Sequence, residues 1–404
     1  MIRLLEERSL TDGRSGRLAL RGARLFDGAS STLVEYPLVL IEGGRIVAVH
    51  SGQVEPPVGI EVVDLGDVTL LPGLIDTHVH LGFDAGWAPV AQMMADDDAA
   101  LVLRMRLAAR RALAAGITTV RDLGDRGYLG VALRDWFRAG QEPGPEILAA
   151  GPPLTVSGGH CHFMGGVADG ELEVRQGVRE RIEKGVDVIK VMATGGELTP
   201  GSNPLVAAYS LSELAAAVEE AHHHGRMVTA HAHGVDGVAA AVEAGVDGLE
   251  HCLFRVPGGS AADAALIDRI AQQRIAVCPT LGGLPGMTPP PHIAAMIEAF
   301  MAVLERMRRA GVWIVAGSDA GIAPGKPHDV LPYTVQAFAA AGFTNLEALV
   351  AATSSAATAC GVGDRKGTLA PGKDADILAV AGNPLADVGS LLDVRAVLRA
   401  GVRV

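Results

Sequence analysis

A chain of 404 residues, 49% apolar with 51 glycines and only 4% aromatics, is long enough to bury one large core or two. Its net charge of −12, 34 basic side chains against 46 acidic ones with no basic cluster, excludes nucleic acid as an expected partner. No uncharged apolar run approaches the length of a membrane span, and residues 1–17 lack the apolar stretch of a secretory signal. The expectation is a soluble cytoplasmic protein with no membrane partner. Cys161, Cys252, Cys278 and Cys360 are widely spaced without a Cys-x-x-Cys pair, which predicts free buried thiols.

In chain order, residues 18–20, 38–41, 45–49 and 61–64 read as short strands separated by turns such as Asp27-Gly28 and Gly43-Gly44. Residues 74–79, 118–122, 146–149, 186–191, 227–230, 248–250, 275–278 and 313–316 are apolar strand candidates with amphipathic segments between them. Ser210-x-x-Glu213 and Thr344-x-x-Glu347 predict helix-starting capping boxes, and Gly225 and Gly361 sit where helices end. Residues 375–380 and 394–404 return to strand, and the proline-rich stretch 285–291 reads as a surface loop or flap. Strand–helix alternation over about 290 residues fits an α/β protein with a (β/α)8 TIM-type barrel. A doubly wound sheet is the rival, but it places a glycine-rich phosphate loop after its first strand, where this chain has His78-Val79-His80. The expected division is residues 1–72 and 365–404 together as a small β-sandwich domain, with 73–364 as the barrel.

Polar residues at the ends of these apolar strands carry the chemistry. His78 and His80 are two apart on a strand and face one side, so both can grip a single ion. Lys190 stands inside a run fit for a buried strand, where an unpaired ammonium is costly. Either it pairs with Glu197 or Asp187, or its amine has reacted with carbon dioxide to give an anionic carbamate. His231, His251 and Asp319 each end a further strand; singly, each reads equally as a satisfied core histidine or a turn aspartate. In a barrel, all strand C-terminal ends converge on one face, which turns five separate coincidences into one metal site.

In order and in strand placement, His78-x-His80, Lys190, His231, His251 and Asp319 resemble the metal motif of the amidohydrolase superfamily. The flanks Leu71-Pro72-Gly73-Leu74-Ile75-Asp76-Thr77-His78 and Gly367-Thr368-Leu369-Ala370-Pro371-Gly372 fit as well. Val188-Ile189-Lys190-Val191-Met192-Ala193-Thr194-Gly195-Gly196 is similar to the imidazolonepropionase-like and Xaa-Pro dipeptidase-like branch. That resemblance implies two divalent metal ions, with zinc the first choice and Mn²⁺, Fe²⁺ or Co²⁺ suited nearly as well. His78 and His80 hold one ion, His231 and His251 the other, and a carbamate on Lys190 bridges them. Asp319 binds the first ion and contacts the bridging water. It further implies hydrolysis of an amide-type C–N bond by a water made acidic between the ions, with Asp319 passing its proton to the leaving nitrogen. The substrate so implied is a small molecule, a dipeptide of Xaa-Pro type or an N-acyl amino acid. Alternatives are a cyclic amide such as imidazolone propionate, a carbamate, a urea or an ester, and a non-catalytic scaffold, against which all six ligand positions are filled. Relatives are commonly homo-oligomers.

Around this centre, His160 and His162 in the loop Ser157-Gly158-Gly159-His160-Cys161-His162 are candidate substrate contacts for a carboxylate or carbonyl, a third metal-like pair, or incidental surface residues of a glycine-rich loop. Tyr209 resembles a tyrosine that reaches the substrate carbonyl, and His233 faces the same side as His231. Arg255 reads either as a partner for a substrate carboxylate or, as the stronger expectation, as a surface ion pair; His222-His223-His224 read as helix-end or surface residues, and His50, His292 and His328 as surface or loop residues without a role. The bulky run Cys252-Leu253-Phe254-Arg255 departs from the glycine often found after the sixth-strand histidine, so pocket shape is expected to differ there.

Overall fold

The computed structural model describes residues 16–287 and 290–404, so the charge pattern at the chain's start and part of the proline-rich stretch lie outside the described residues. The centre of the chain is a mixed α/β fold in which every parallel strand is followed by a helix. Leu74–Val79, Ile117–Asp122 and Glu146–Ala149 form one parallel sheet. Ile189–Met192, Val228–Gly234, Gly248–Val256, Ala276–Cys278 and Trp313–Ile314 form a second. Single parallel bridges, Leu154 to Val191 and Val79 to Ala320, join the two sheets at both of their edges. The first five of these strands are buried at every position, as expected for strands covered on both faces. Any polar side chain in them must therefore find a partner or serve a ligand.

The expected helix signals form. Ser210 and Thr344 make reciprocal capping boxes with Glu213 and Glu347. Gly225 and Gly361, at φ +65° and +70°, follow the last turns of Leu211–His223 and Ser354–Ala359. All four cysteines are free and buried. Among the described residues no helix is long and apolar enough to cross a membrane.

Segments from the two ends of the chain share one sheet: Ile377–Ala381 pairs antiparallel with Val68–Pro72, which pairs parallel with Arg24–Leu25. A second sheet, of Arg45–His50, Leu38–Glu42, Arg17–Arg21 and Glu61–Asp64, lies beside it, and both line one apolar cluster that includes Leu20, Ile41, Leu70 and Ile377. Three expectations need correction. Residues 394–404 are not one strand; Ala400 and Gly401 take left-handed φ (+50° and +77°) and turn it into a hairpin. The strand begun at Gly248 runs on to Val256. Pro291 opens the helix Pro291–Arg309, where its fixed φ suits the first turn, instead of closing a loop.

A buried ion network ties Glu146 of the central fold to the C-terminal segment. Glu146 bonds Arg365, and its other oxygen lies 3.2 Å from both Lys366 Nζ and Arg399. Burial opposes ionisation, yet Arg365, Lys366 and Arg399 pull the Glu146 pKa from 4.5 down to about 2. A depressed carboxyl stabilises the fold above its unfolded pKa and loses that contribution as pH falls through the folded value, here about 3 kcal/mol. Glu146→Gln should therefore lower urea stability by that order near pH 7, with the gap closing as pH falls from about 4.5 toward 2. A gap independent of pH would contradict the linkage.

Candidate metal centre

The strand ends bring His78, His80, Lys190, His231, His251 and Asp319 into one buried cluster. Its tightest part is a triangle: His78 Nε2 lies 3.3 Å from His80 Nε2, and each lies 3.4 Å from Asp319 Oδ1. Tetrahedral ligands at a zinc–nitrogen distance of about 2.05 Å stand about 3.3 Å apart, so these three atoms fit one cation. Asp319 is held there by its own backbone, whose N–H donates to the His78 carbonyl at 2.8 Å, while His80 N–H donates to Ala320 at 2.9 Å. A second group, His231, His233 and His251, also places one nitrogen from each ring within 4.8 Å of the others.

Each expected histidine ligand has one ring nitrogen engaged and the other available. His78 Nδ1–H donates to Glu250 at 2.8 Å, and His80 Nδ1 faces the Gly124 carbonyl at 3.5 Å. His231 Nε2–H donates to the Gly195 carbonyl at 3.0 Å, and His251 Nδ1 pairs with Thr280 Oγ1 at 2.9 Å. Such outer partners fix tautomer and ring orientation. Burial lowers the pKa of His78 to about 4 and drives those of His231 and His251 well below 6.5, so the rings are neutral and have lone pairs to give. Burial raises the carboxyl pKa of Asp319, but His78 and His80 outweigh it and keep the group ionised.

Lys190 Nζ is fully buried and has no hydrogen-bond partner among the described residues. Neither sequence-suggested partner reaches it: Asp187 accepts from Arg134 at 2.7 Å, and Glu197 pairs with Arg255. Burial lowers its pKa, with Glu250 and Asp319 opposing. The local backbone is strained, for His251, Cys252, Thr280 and Asp319 all take φ between +50° and +67°. Left-handed conformations at non-glycine residues cost on the order of 1–3 kcal/mol each and cluster at functional sites.

Other candidates divide. His160 is buried, with its ring 4.6 Å from that of His231, over Gly196, where a Cβ would come within 2.5 Å of the imidazole. His233 stacks on His251 at 4.7 Å and leaves Nδ1 unpaired. His162 is not its neighbour's companion; it is exposed, and its ring bonds back to Gly159 at 2.9 Å. The Tyr209 hydroxyl donates to the Ala168 carbonyl at 2.9 Å inside the apolar core, so its proton is already committed. His328 is no surface residue: it is buried, and its Nε2–H donates to the His80 carbonyl at 3.1 Å, satisfying an acceptor that the strand end leaves open.

Glu250, Arg121, Asp76 and Lys326 escape the sequence reading. Glu250 accepts from His78, Arg121 (2.9 Å) and Thr229. Burial would raise its pKa, but Arg121 and His78 hold it far below the carboxylate range. His78, Glu250 and Cys278 also lie within reach of one ion. The Glu250 oxygens are already filled, however, and burial pushes the Cys278 thiol pKa well up, so that trio orients His78 instead of binding metal. Asp76 accepts from both the Ser318 N–H and hydroxyl, and Lys326 Nζ donates to the Thr280 and Ser318 carbonyls at 2.7 Å each. The available signal was a charged residue inside an apolar strand, visible at Asp76, Arg121 and Glu250 alike. Glu250→Gln should weaken metal binding by about 10–100-fold, as losses of such outer partners do. Chelator competition measures this, and unchanged affinity would remove Glu250 from the site.

Residues 69–404 match the amidohydrolase family, and the chain belongs to it. It is 31% identical to the ochratoxinase of Aspergillus niger over 366 residues, 81% of this chain and 73% of that one. Among solved structures it is similar to a Xaa-Pro dipeptidase with methionine bound in the active site (TM-score 0.87, 28% identity, 96% of this chain and 100% of that chain). It is also similar to a prolidase complexed with N-methylphosphonate-L-proline (TM-score 0.84, 31% identity, 96% and 99%). The protein is thus a hydrolase of the amidohydrolase type.

Proposed function

We propose that this chain is a binuclear metal-dependent hydrolase that cleaves the C–N bond of a dipeptide of Xaa-Pro type or an N-acyl amino acid. The observation that carries the reading is the triangle of His78, His80 and Asp319, at 3.3–3.4 Å, beside a second imidazole group and an unpartnered buried lysine. In this reading the chain is a closed (β/α)8 barrel over 73–364, and residues 1–72 and 365–404 form a β-sandwich. His78, His80 and Asp319 hold one ion, His231 and His251 the other, and zinc suits this nitrogen and oxygen donor set. Lys190, as its carbamate, would add an anionic oxygen ligand to this set; forming it needs a neutral amine, and burial favours that form. Bound divalent cations supply Lewis acidity toward the water and the scissile carbonyl.

The chain's own residues then do the rest. Asp319 Oδ takes the proton of the attacking water and returns it to the departing nitrogen, which is a poor leaving group until protonated. His160 and His233, buried with free nitrogens, line the place where the scissile group is held. The bound methionine and the phosphonate-proline of the two similar structures both present an amino-acid carboxylate, which supports the substrate class. Zinc-loaded protein should release free amino acid from a panel of Xaa-Pro dipeptides and N-acyl amino acids. Turnover of imidazolone propionate, carbamates or ureas with none of that panel would overturn the substrate reading.

A further inference from the structure

The strand that delivers His251 does not stop there, and the way it continues is costly. Ala232 stands opposite His251, but two residues later Gly234 stands opposite Arg255, four residues on. Two extra residues are thus looped out of Gly248–Val256, and the backbone absorbs them with left-handed φ at His251, Cys252 and Phe254 (+67°, +50° and +49°). Cys252 and Phe254 are fully buried, so packing holds these conformations in place. The product of the distortion is that the backbone of Arg255 pairs with Gly234, the residue after His233, while the Arg255 side chain is half-buried. Arg255 meets Glu197, from the segment beyond Lys190, at 2.5 Å. Glu197 is 44% exposed, and a solvent-screened ion pair of that kind contributes little to stability. That cannot offset three non-glycine residues held in the left-handed region. The bulge therefore calls for another reason than the ion pair itself.

We propose that Arg255 is the receptor for the free carboxylate of the substrate, and that Glu197 occupies its guanidinium until the substrate carboxylate displaces it. This rests on the amide-hydrolase reading above and names what anchors the substrate's acidic end. A guanidinium fork matches a carboxylate in two parallel hydrogen bonds, and Glu197 supplies only one oxygen at hydrogen-bonding distance. His233, with Nδ1 unpaired and 7% exposed, packs against His231 and His251 and directly precedes Gly234, the backbone partner of Arg255. Arg255 is thus a specificity residue at one end of the substrate, and the metal cluster acts at the other.

Steady-state kinetics of the zinc-loaded enzyme on N-acetyl-L-methionine and on its carboxamide test the assignment. Arg255→Met should raise KM for the carboxylate about 10–100-fold, the range of a charge-assisted hydrogen bond, with kcat and the carboxamide changed by no more than about threefold. Glu197→Gln should lower KM for the carboxylate and leave the carboxamide alone. Equal losses on both substrates, or no loss on either, overturn the proposal. Calorimetric titration with L-methionine and L-methioninamide separates this claim from the hydrolase reading. Weaker L-methionine binding by Arg255→Met, with methioninamide unaffected, upholds the receptor even if neither amide is cleaved. No detectable binding of L-methionine to the unmutated protein, or identical binding by Arg255→Met, overturns it.

Discussion

Asp319→Asn should lower kcat by about three orders of magnitude, within the 10²–10⁴ range of general acid–base catalysis, while the protein keeps its fold and much of its metal. The substitution is nearly isosteric, and the backbone N–H to the His78 carbonyl, 2.8 Å, does not depend on the side chain. The amide oxygen of asparagine still faces the His78 and His80 nitrogens that lie 3.4 Å from the carboxylate today. What it lacks is basicity. In the wild type His78 and His80 outweigh burial and keep Asp319 ionised, ready to accept a proton. Saturating kinetics on metal-replete protein, with metal measured on the same sample, checks this. A kcat within tenfold of the wild type would remove Asp319 from the proton path.

Lys190→Met should have effects of opposite sign on activity and stability. The wild-type amine is buried, unpaired among the described residues and shifted toward neutrality by desolvation. Methionine of similar volume removes that polar group, so the metal-free variant should gain about 1–3 kcal/mol against urea, the penalty of an unsatisfied buried polar atom. If, as proposed, a carbamate on Lys190 helps to hold two ions, the same variant should lose one of two metal equivalents and at least about a hundredfold in kcat/KM. A purely structural lysine would behave otherwise: its loss would destabilise the fold and leave metal content alone. Full activity with two metals bound would sink the bridging role.

The strand ends were legible because their chemistry is local. A His-x-His pair on a strand faces one side, and the apolar runs around Lys190 and His231 predict buried strands from composition alone, while the strand expected before Asp319 is only Trp313–Ile314. The Leu74–Val79 and Glu146–Ala149 boundaries match the residues expected. The remainder depends on partners far away in sequence. Glu250 looks like a neighbour of His251, yet its function is to orient His78, 172 residues earlier. His328 looks like a loop residue because nothing nearby reveals that the His80 carbonyl awaits a donor 248 residues away. Tyr209 sits where a substrate contact was expected, but its hydroxyl found Ala168 across a loop packing that pattern reading does not contain. Phe254 and Cys252 read as bulky departures; only the backbone reveals that they are left-handed and that Arg255 is thereby brought back beside Gly234.

A two-metal centre that depends on Lys190, as proposed, must show in the metal content of the protein. Metal content by mass spectrometry on zinc-loaded, exhaustively dialysed protein, measured for the wild type and Lys190→Met side by side, addresses it directly. Two equivalents per chain are expected in the wild type and no more than one in the variant. Less than one equivalent in the wild type, or the same content in both, would contradict it.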